Sequence, residues 1–279
     1  MPVFRCLAFA AALLGIVSTA ARAEEPVDLE LIIAVDVSTS VDRYEAQLQR
    51  QGYVSAFSDE RVIEAIQSGF LGKVAVLYFE WAGFGMNKTL MDWTVLSDAE
   101  SVQAYAARLS RQPYTSGRRT SISGAIDFAV PQFATNGFEG KRRVIDISGD
   151  GTNNYGRQVT YARDAAVAEG ITINGLPIVE GESGDRTWIP NLDLYYEACV
   201  IGGRGAFMVV ARGFDDFADA VRQKLVLEIS GREPEPSPVR EASRSKAPRG
   251  PLILAQSRQW ERRVPSCAND DRPFLFDNF

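Results

Sequence analysis

The chain has 279 residues, 46 % of them hydrophobic and 24 % charged, which suffices for one sizeable core or two small ones. It contains no histidine, which excludes Ser-His-Asp and Cys-His nucleophiles, His-ligated zinc and histidine proton shuttles. The net charge is −6, yet residues 24–230 alone carry −10, and an acidic domain lacks the basic surface that nucleic acid requires.

The first 23 residues read as an address. Arg5 precedes an uncharged apolar run of about 15 residues, and Ala21-Arg22-Ala23 fits the small-x-small cleavage pattern of a secretory signal peptide. The run is shorter than the ~20 residues a membrane span needs. No later segment is apolar enough to cross a bilayer. Cleavage near Ala23-Glu24 would leave a secreted or periplasmic protein with no membrane span.

The mature chain alternates strand-like and helix-like segments. Residues 29–38 are a continuous aliphatic strand ending in Asp36, and 42–57 read as a helix. Residues 73–83 are a second buried strand, and 89–97 an alternating one with a wetter face. An Asp98 cap and apolar residues at 102, 105, 106 and 109 predict a helix over 98–110. Helix (121–133), strand (142–148), helix (155–170, ending at Gly170) and strand (171–179) follow. A short helix (192–200), a last strand (206–210) and a closing helix (214–230) complete the domain. Aliphatic strands separated by helices imply an α/β fold: a three-layer, doubly wound, mostly parallel sheet with helices on both faces. Binding groups then gather at the carboxyl ends of the strands. Residues 231–279 hold seven of the thirteen prolines and read as a flexible tail, its PFLFDNF end either a docking motif or loosely held.

The cysteines are Cys6, Cys199 and Cys267, with no CxxC pair for a thiolate zinc or redox motif. Cys199 and Cys267 either pair in an oxidising compartment or stand as a small buried residue and a free tail thiol; their spacing does not choose.

Three pieces carry chemistry. Asp36-Val37-Ser38-Thr39-Ser40 closes the first strand and offers a carboxylate and two serine hydroxyls. Thr120 stands just before the 121–133 helix. Asp150 follows the strand in VIDISGDGTNN. If the first strand and the 142–148 strand are neighbours, all five side chains reach one crevice. They are hard oxygen donors, suited to Mg²⁺ or a similar cation. Each piece also has a local alternative. Asp36 and Ser40 could cap the following helix, Thr120 could cap the next, and Asp150-Gly151 could be only a turn.

DVSTS, the Thr120 loop running into Ser-Ile-Ser-Gly-Ala-Ile, and Ser-Gly-Asp-Gly after an aliphatic strand occur here in one order. In this the sequence resembles the von Willebrand factor A (VWA) domain with its metal-ion-dependent adhesion site, MIDAS, over roughly residues 28–230. It looks most like a secreted bacterial subgroup catalogued as a domain of unknown function, on VDVSxSVD, GxxTSISGAID, IDISGDGxNN and the Cys199-Val-Ile-Gly-Gly stretch. The resemblance implies that Ser38 and Ser40 ligate the metal directly, Asp36 and Asp150 directly or through water, and Thr120 in the ligand-engaged form. Three hydroxyls and two carboxylates do not overcompensate a dication, so Mg²⁺ (or Mn²⁺ or Ca²⁺) would stay open to an anionic oxygen. In the family a partner protein's carboxylate fills that position. Arg118 and Arg119 flank Thr120 and could hold an acidic partner, or simply line a solvated loop.

Other features are weaker. Asp146 suggests a structural hydrogen-bonding role, Gly202-Gly203-Arg204-Gly205 a turn, and Trp81 and Trp188 either a ligand surface or core packing. The expected function is therefore an extracytoplasmic, metal-dependent binding module for a protein ligand. The alternatives are a metal-dependent hydrolase, which would need a positioned base or second metal, and a metal-free structural domain. A phosphotransferase using Asp36 as nucleophile would lack the second Asp of its usual pattern. The resemblance further implies that movement of the closing helix switches affinity.

Overall fold

The computed structural model describes residues 23–179, 189–232 and 266–268. The signal-peptide reading of the first residues, Trp188 and most of the 231–279 tail lie outside them. The elements run β1 (Glu25–Val27), β2 (Leu29–Asp36), α1 (Arg43–Phe57), α2 (Glu60–Gln67), β3 (Val74–Trp81), β4 (Asn87–Leu96), α3 (Ala99–Leu109) and α4 (Ile122–Ala129). β5 (Phe138–Gly140), β6 (Arg143–Gly149), α5 (Val159–Ala168), β7 (Thr172–Pro177), α6 (Leu192–Tyr195) and α7 (Phe217–Ser230) follow.

β2 is buried at all eight positions. Its side chains alternate between two cores, Leu29, Leu31, Ile33 and Val35 facing one and Ile32 and Ala34 the other. Burial on both faces is why residues 31–35 are an unbroken aliphatic run. Each such Leu, Ile or Val contributes about 1.5–3 kcal/mol. β2, β3, β6 and β7 are parallel, and β4 adds an antiparallel edge, in the order β4-β3-β2-β6-β7. α1, α2, α3 and α7 cover one face, and α4, α5 and α6 the other. This is the three-layer α/β architecture the sequence implies, and β2 and β6 are neighbours. From β2 the chain winds outward to β3, then returns to the other side of β2 for β6. The crevice at the carboxyl ends of β2 and β6 is therefore a topological switch point, where open α/β sheets bind ligands.

Several segments differ from the sequence reading. β1 and β5 form a small parallel pair of their own, and α2 is a separate eight-residue helix after α1. The 121–133 helix is α-helical only to Ala129 and continues as a 3₁₀ turn, because Pro131 has no N–H for the next bond. The 192–200 helix widens into a π turn over Tyr196–Val200. Residues 206–210 are not a regular strand. Val209 N–H donates to Gly175 O (3.1 Å), but Phe207 N–H is drawn to the Asn174 side chain (2.8 Å), and only isolated bridges to β7 remain. Trp81 is fully buried in the core, and the 202–205 glycines form a turn with Gly203 and Gly205 at positive φ.

Candidate metal centre

Asp36 is the last residue of β2, and Asp150 follows the last residue of β6. Thr120 ends the irregular segment before α4. These three places meet at the switch point. Ser38 Oγ lies 3.0 Å from Ser40 Oγ and 3.4 Å from Thr120 Oγ1, and Ser40 Oγ donates to Asp150 Oδ1 at 2.8 Å. Ser38 N–H donates to Asp36 Oδ1 at 2.7 Å. The five residues singled out in the sequence thus form one cluster.

The capping roles open to these residues are taken by others. Asp42 caps α1, in a reciprocal box with Glu45 (2.8 and 2.6 Å). Ser121 caps α4, accepting from Gly124 N–H at 3.2 Å. Asp36, Ser40 and Thr120 are spared from capping.

The cluster is graded from inside to outside. Asp36 is fully buried, Ser38 and Thr120 nearly so, Asp150 half-buried and Ser40 exposed. Asp36 Oδ2 is buried and has no hydrogen-bond partner among the described residues. Burial, reinforced by the nearby Asp150 charge, pushes the Asp36 carboxyl well above the usual carboxylate range. Burial pushes Asp150 up to about 6, against the lowering bond from Ser40. An uncompensated inner carboxylate oxygen, faced by hydroxyls and a second carboxylate, fits a hard dication that would displace the protons. Among the described residues no three His, Cys, Asp or Glu side chains group as a metal centre, so hydroxyl oxygens would have to complete this one.

Glycine makes the crevice possible. A Cβ on Gly149 would stand 2.9 Å from Asp36 Oδ2 and 3.0 Å from the Tyr196 hydroxyl, itself buried and unpartnered among the described residues. Asn154 fixes Thr120 from both sides: its Oδ1 accepts from Thr120 N–H (2.8 Å), and its own N–H donates to Thr120 O (2.9 Å). Asn153 Oδ1 accepts from Ser123 N–H at 2.9 Å. Sequence reading quoted the two asparagines inside a motif without giving them a role. Gly149 stood in the Ser-Gly-Asp-Gly motif without a role, and Tyr196 was not singled out, since their meaning depends on contacts distant in sequence.

The rim is aromatic and basic. Arg118 is exposed and Arg119 half-buried, and both carbonyls accept from Gly83 N–H (3.0 and 2.8 Å). Beside them Phe84, 62 % exposed, packs on Tyr155 with ring centroids 4.5 Å apart. Tyr155 N–H in turn donates to Thr120 O at 3.1 Å. Phe84 holds φ at +55° and Arg119 at +66°, conformations that bulky residues avoid. Asp146 turns away from this end and meets Lys224 of α7 (2.8 Å).

A family model described as "Protein of unknown function (DUF1194)" matches residues 26–233. The chain belongs to the DUF1194 family. No curated protein matches it. Solved structures similar to this DUF1194 chain include proximal thread matrix protein 1 from the mussel byssus with a zinc-occupied MIDAS motif. It is 14 % identical with a TM-score of 0.50, over 74 % of this chain and 49 % of that one. The pilus adhesin SpaC from Lactobacillus rhamnosus GG is 12 % identical with a TM-score of 0.53, over 74 % and 31 %. A von Willebrand factor type A structure from Catenulispora acidiphila is 16 % identical with a TM-score of 0.48, over 74 % and 43 %. The DUF1194 domain therefore shares its fold with the mussel protein and the pilus adhesin. It spans about half or less of the length of these structures.

Proposed function

We propose that this DUF1194 domain is an extracytoplasmic binding module that holds a divalent cation at Asp36, Ser38, Ser40, Thr120 and Asp150 and engages a protein ligand through an acidic side chain. The observation that carries the reading is the run of oxygen contacts from Ser40 and Asp150 through Ser38 to Thr120, beside the unpartnered Asp36 Oδ2. When bound, the ion supplies a positive centre that accepts an anionic oxygen. Ser38, Ser40 and Thr120 would bring neutral oxygens to it, and Asp36 and Asp150 the charge. The exposed outer edge at Ser40 leaves an approach for a macromolecule, and Arg118, Arg119, Phe84 and Tyr155 would meet its surface. A zinc-occupied MIDAS motif in the mussel protein of this fold supports a divalent cation here. Mg²⁺ suits the hard-oxygen set best, with Mn²⁺ and Ca²⁺ as alternatives.

A binder is favoured over an enzyme because the chain has no histidine and the cluster holds only two carboxylates, both assigned to the cation. The leader-like first 23 residues and the Cys199–Cys267 disulfide support placement outside the cytoplasm. Among the described residues no helix is long and apolar enough to cross a membrane.

The test is thermal unfolding of the purified protein in chelator and in Mg²⁺, Mn²⁺ or Ca²⁺, beside Asp36→Ala. A cation at a hundredfold excess over its Kd should add about 2.7 kcal/mol. Asp36→Ala should abolish that gain. Identical midpoints in chelator and millimolar metal, for wild type and variant alike, would sink the reading.

A further inference from the structure

Glu80 is an isolated acid in an otherwise apolar buried strand and is 2 % exposed. Both of its oxygens are engaged, Oε1 by the Arg50 guanidinium of α1 and Oε2 by the Thr115 hydroxyl. Arg50 also donates to the carbonyls of Gln112 (2.5 Å) and Pro113 (3.1 Å). The pair thus grips three residues of the irregular segment between α3 and α4 that delivers Thr120. Farther along, Gly117 N–H donates to Val37 O at 2.9 Å, between Asp36 and Ser38. Glu80 pairs in register with Val35, next to Asp36. One ion pair therefore ties α1, β3 and the Thr120 segment beside the DVSTS turn.

Burying two charges gains little stability over a well-packed apolar pair. What the charges add is direction: a guanidinium fork and a carboxylate fix carbonyls and a hydroxyl in a chain stretch that lies outside the regular helices and strands and meets the DVSTS turn through an isolated bridge at Gly117. We propose that Arg50 and Glu80 are positioning residues that set the Thr120 segment against Ser38 and Asp150, and so set cation affinity at the cluster. This rests on the metal-binding reading above, but the loop-setting half stands without it.

Two measurements test it, backbone hydrogen exchange of the metal-free protein and Mn²⁺ binding by calorimetry. Glu80→Gln and the milder Thr115→Val should speed exchange in peptides covering 112–120, by about tenfold for Glu80→Gln, while β7 and α5 keep their protection. Mn²⁺ affinity should fall about tenfold in Glu80→Gln, as when groups that orient metal ligands are removed. The double variant Arg50→Met/Glu80→Leu should recover the wild-type melting midpoint but neither loop protection nor affinity. Ile173→Val, a core change in β7, should alter neither readout. Wild-type exchange over 112–120 in both Glu80→Gln and Thr115→Val, or full Mn²⁺ affinity in the double variant, would overturn the proposal. A wild type that takes up no Mn²⁺ would defeat the metal reading instead, and the exchange comparison would still decide the loop-setting role.

Discussion

At the residue scale the crevice depends on an atom that is missing. Gly149 sits between Asp36 and Tyr196, two side chains with no exposed surface to retreat into. Its φ is not in the left-handed region, so adding a methyl group has a purely steric consequence. Gly149→Ala should lower the unfolding free energy, read by denaturant titration, by about 1–3 kcal/mol, the usual effect of overpacking, and weaken the Mg²⁺-dependent rise in melting temperature. An unchanged midpoint and an unchanged rise would show that Asp36 can move away. The five oxygen residues were legible because each belongs to a short motif whose chemistry is local. Arg50 and Glu80 were not, because thirty positions separate them and only the register of α1 on β3 brings them together. A lone Glu in VAVLYFEW was the available signal, since a buried charge demands a partner.

At the element scale, α7 is fixed to the sheet by ionic as well as apolar contacts. Lys224, 1 % exposed, lies 2.8 Å from both Asp146 of β6 and Glu228 one turn on. Asn174 of β7 donates to the other Glu228 oxygen at 2.5 Å, and Tyr53 of α1 faces the same group. One cation does not compensate two buried carboxylates, so burial pushes Asp146 up to about 7 despite the lowering effect of Lys224. The folded state then holds a proton that the unfolded chain releases near its ordinary value, about 4. This contribution to stability is present below pH 4 and is lost as pH rises through 7. Asp146→Asn should flatten the stability profile between pH 4 and 7, read by urea unfolding at each pH; an unaltered slope would count against it. Lys224→Met should cost about 3–5 kcal/mol by leaving both acids without a cation. The closing helix was legible in the sequence, whereas no local signal marks Lys224 and Glu228 as buried; that follows only once β6 and β7 are placed beneath them. The 206–210 stretch misled for the converse reason, having strand composition while a side chain competes for its backbone.

At the scale of the whole molecule, Cys199 and Cys267 are joined, with Cα atoms 5.4 Å apart and a separation of 68 positions in sequence. Cys199 lies in the core between α5 and the sheet, so the bond secures the 266–268 segment to the second helical layer. Closing a loop of that length removes unfolded-state entropy worth about 4 kcal/mol. Cys267→Ser should therefore unfold about 2–4 kcal/mol more easily, and reductant should bring wild type down to the variant while leaving the variant unmoved. Equal stability of the two proteins without reductant would show that the bond contributes nothing. Spacing left this pairing open, because two cysteines so far apart meet only through the packing of the π turn on α5 and β7. The same bond makes the stretch from Cys199 to Cys267 a covalent ring. A protease that cuts once anywhere within it opens the ring without releasing a fragment: the product migrates as a single species on a gel and separates into two only when the sulfurs are reduced.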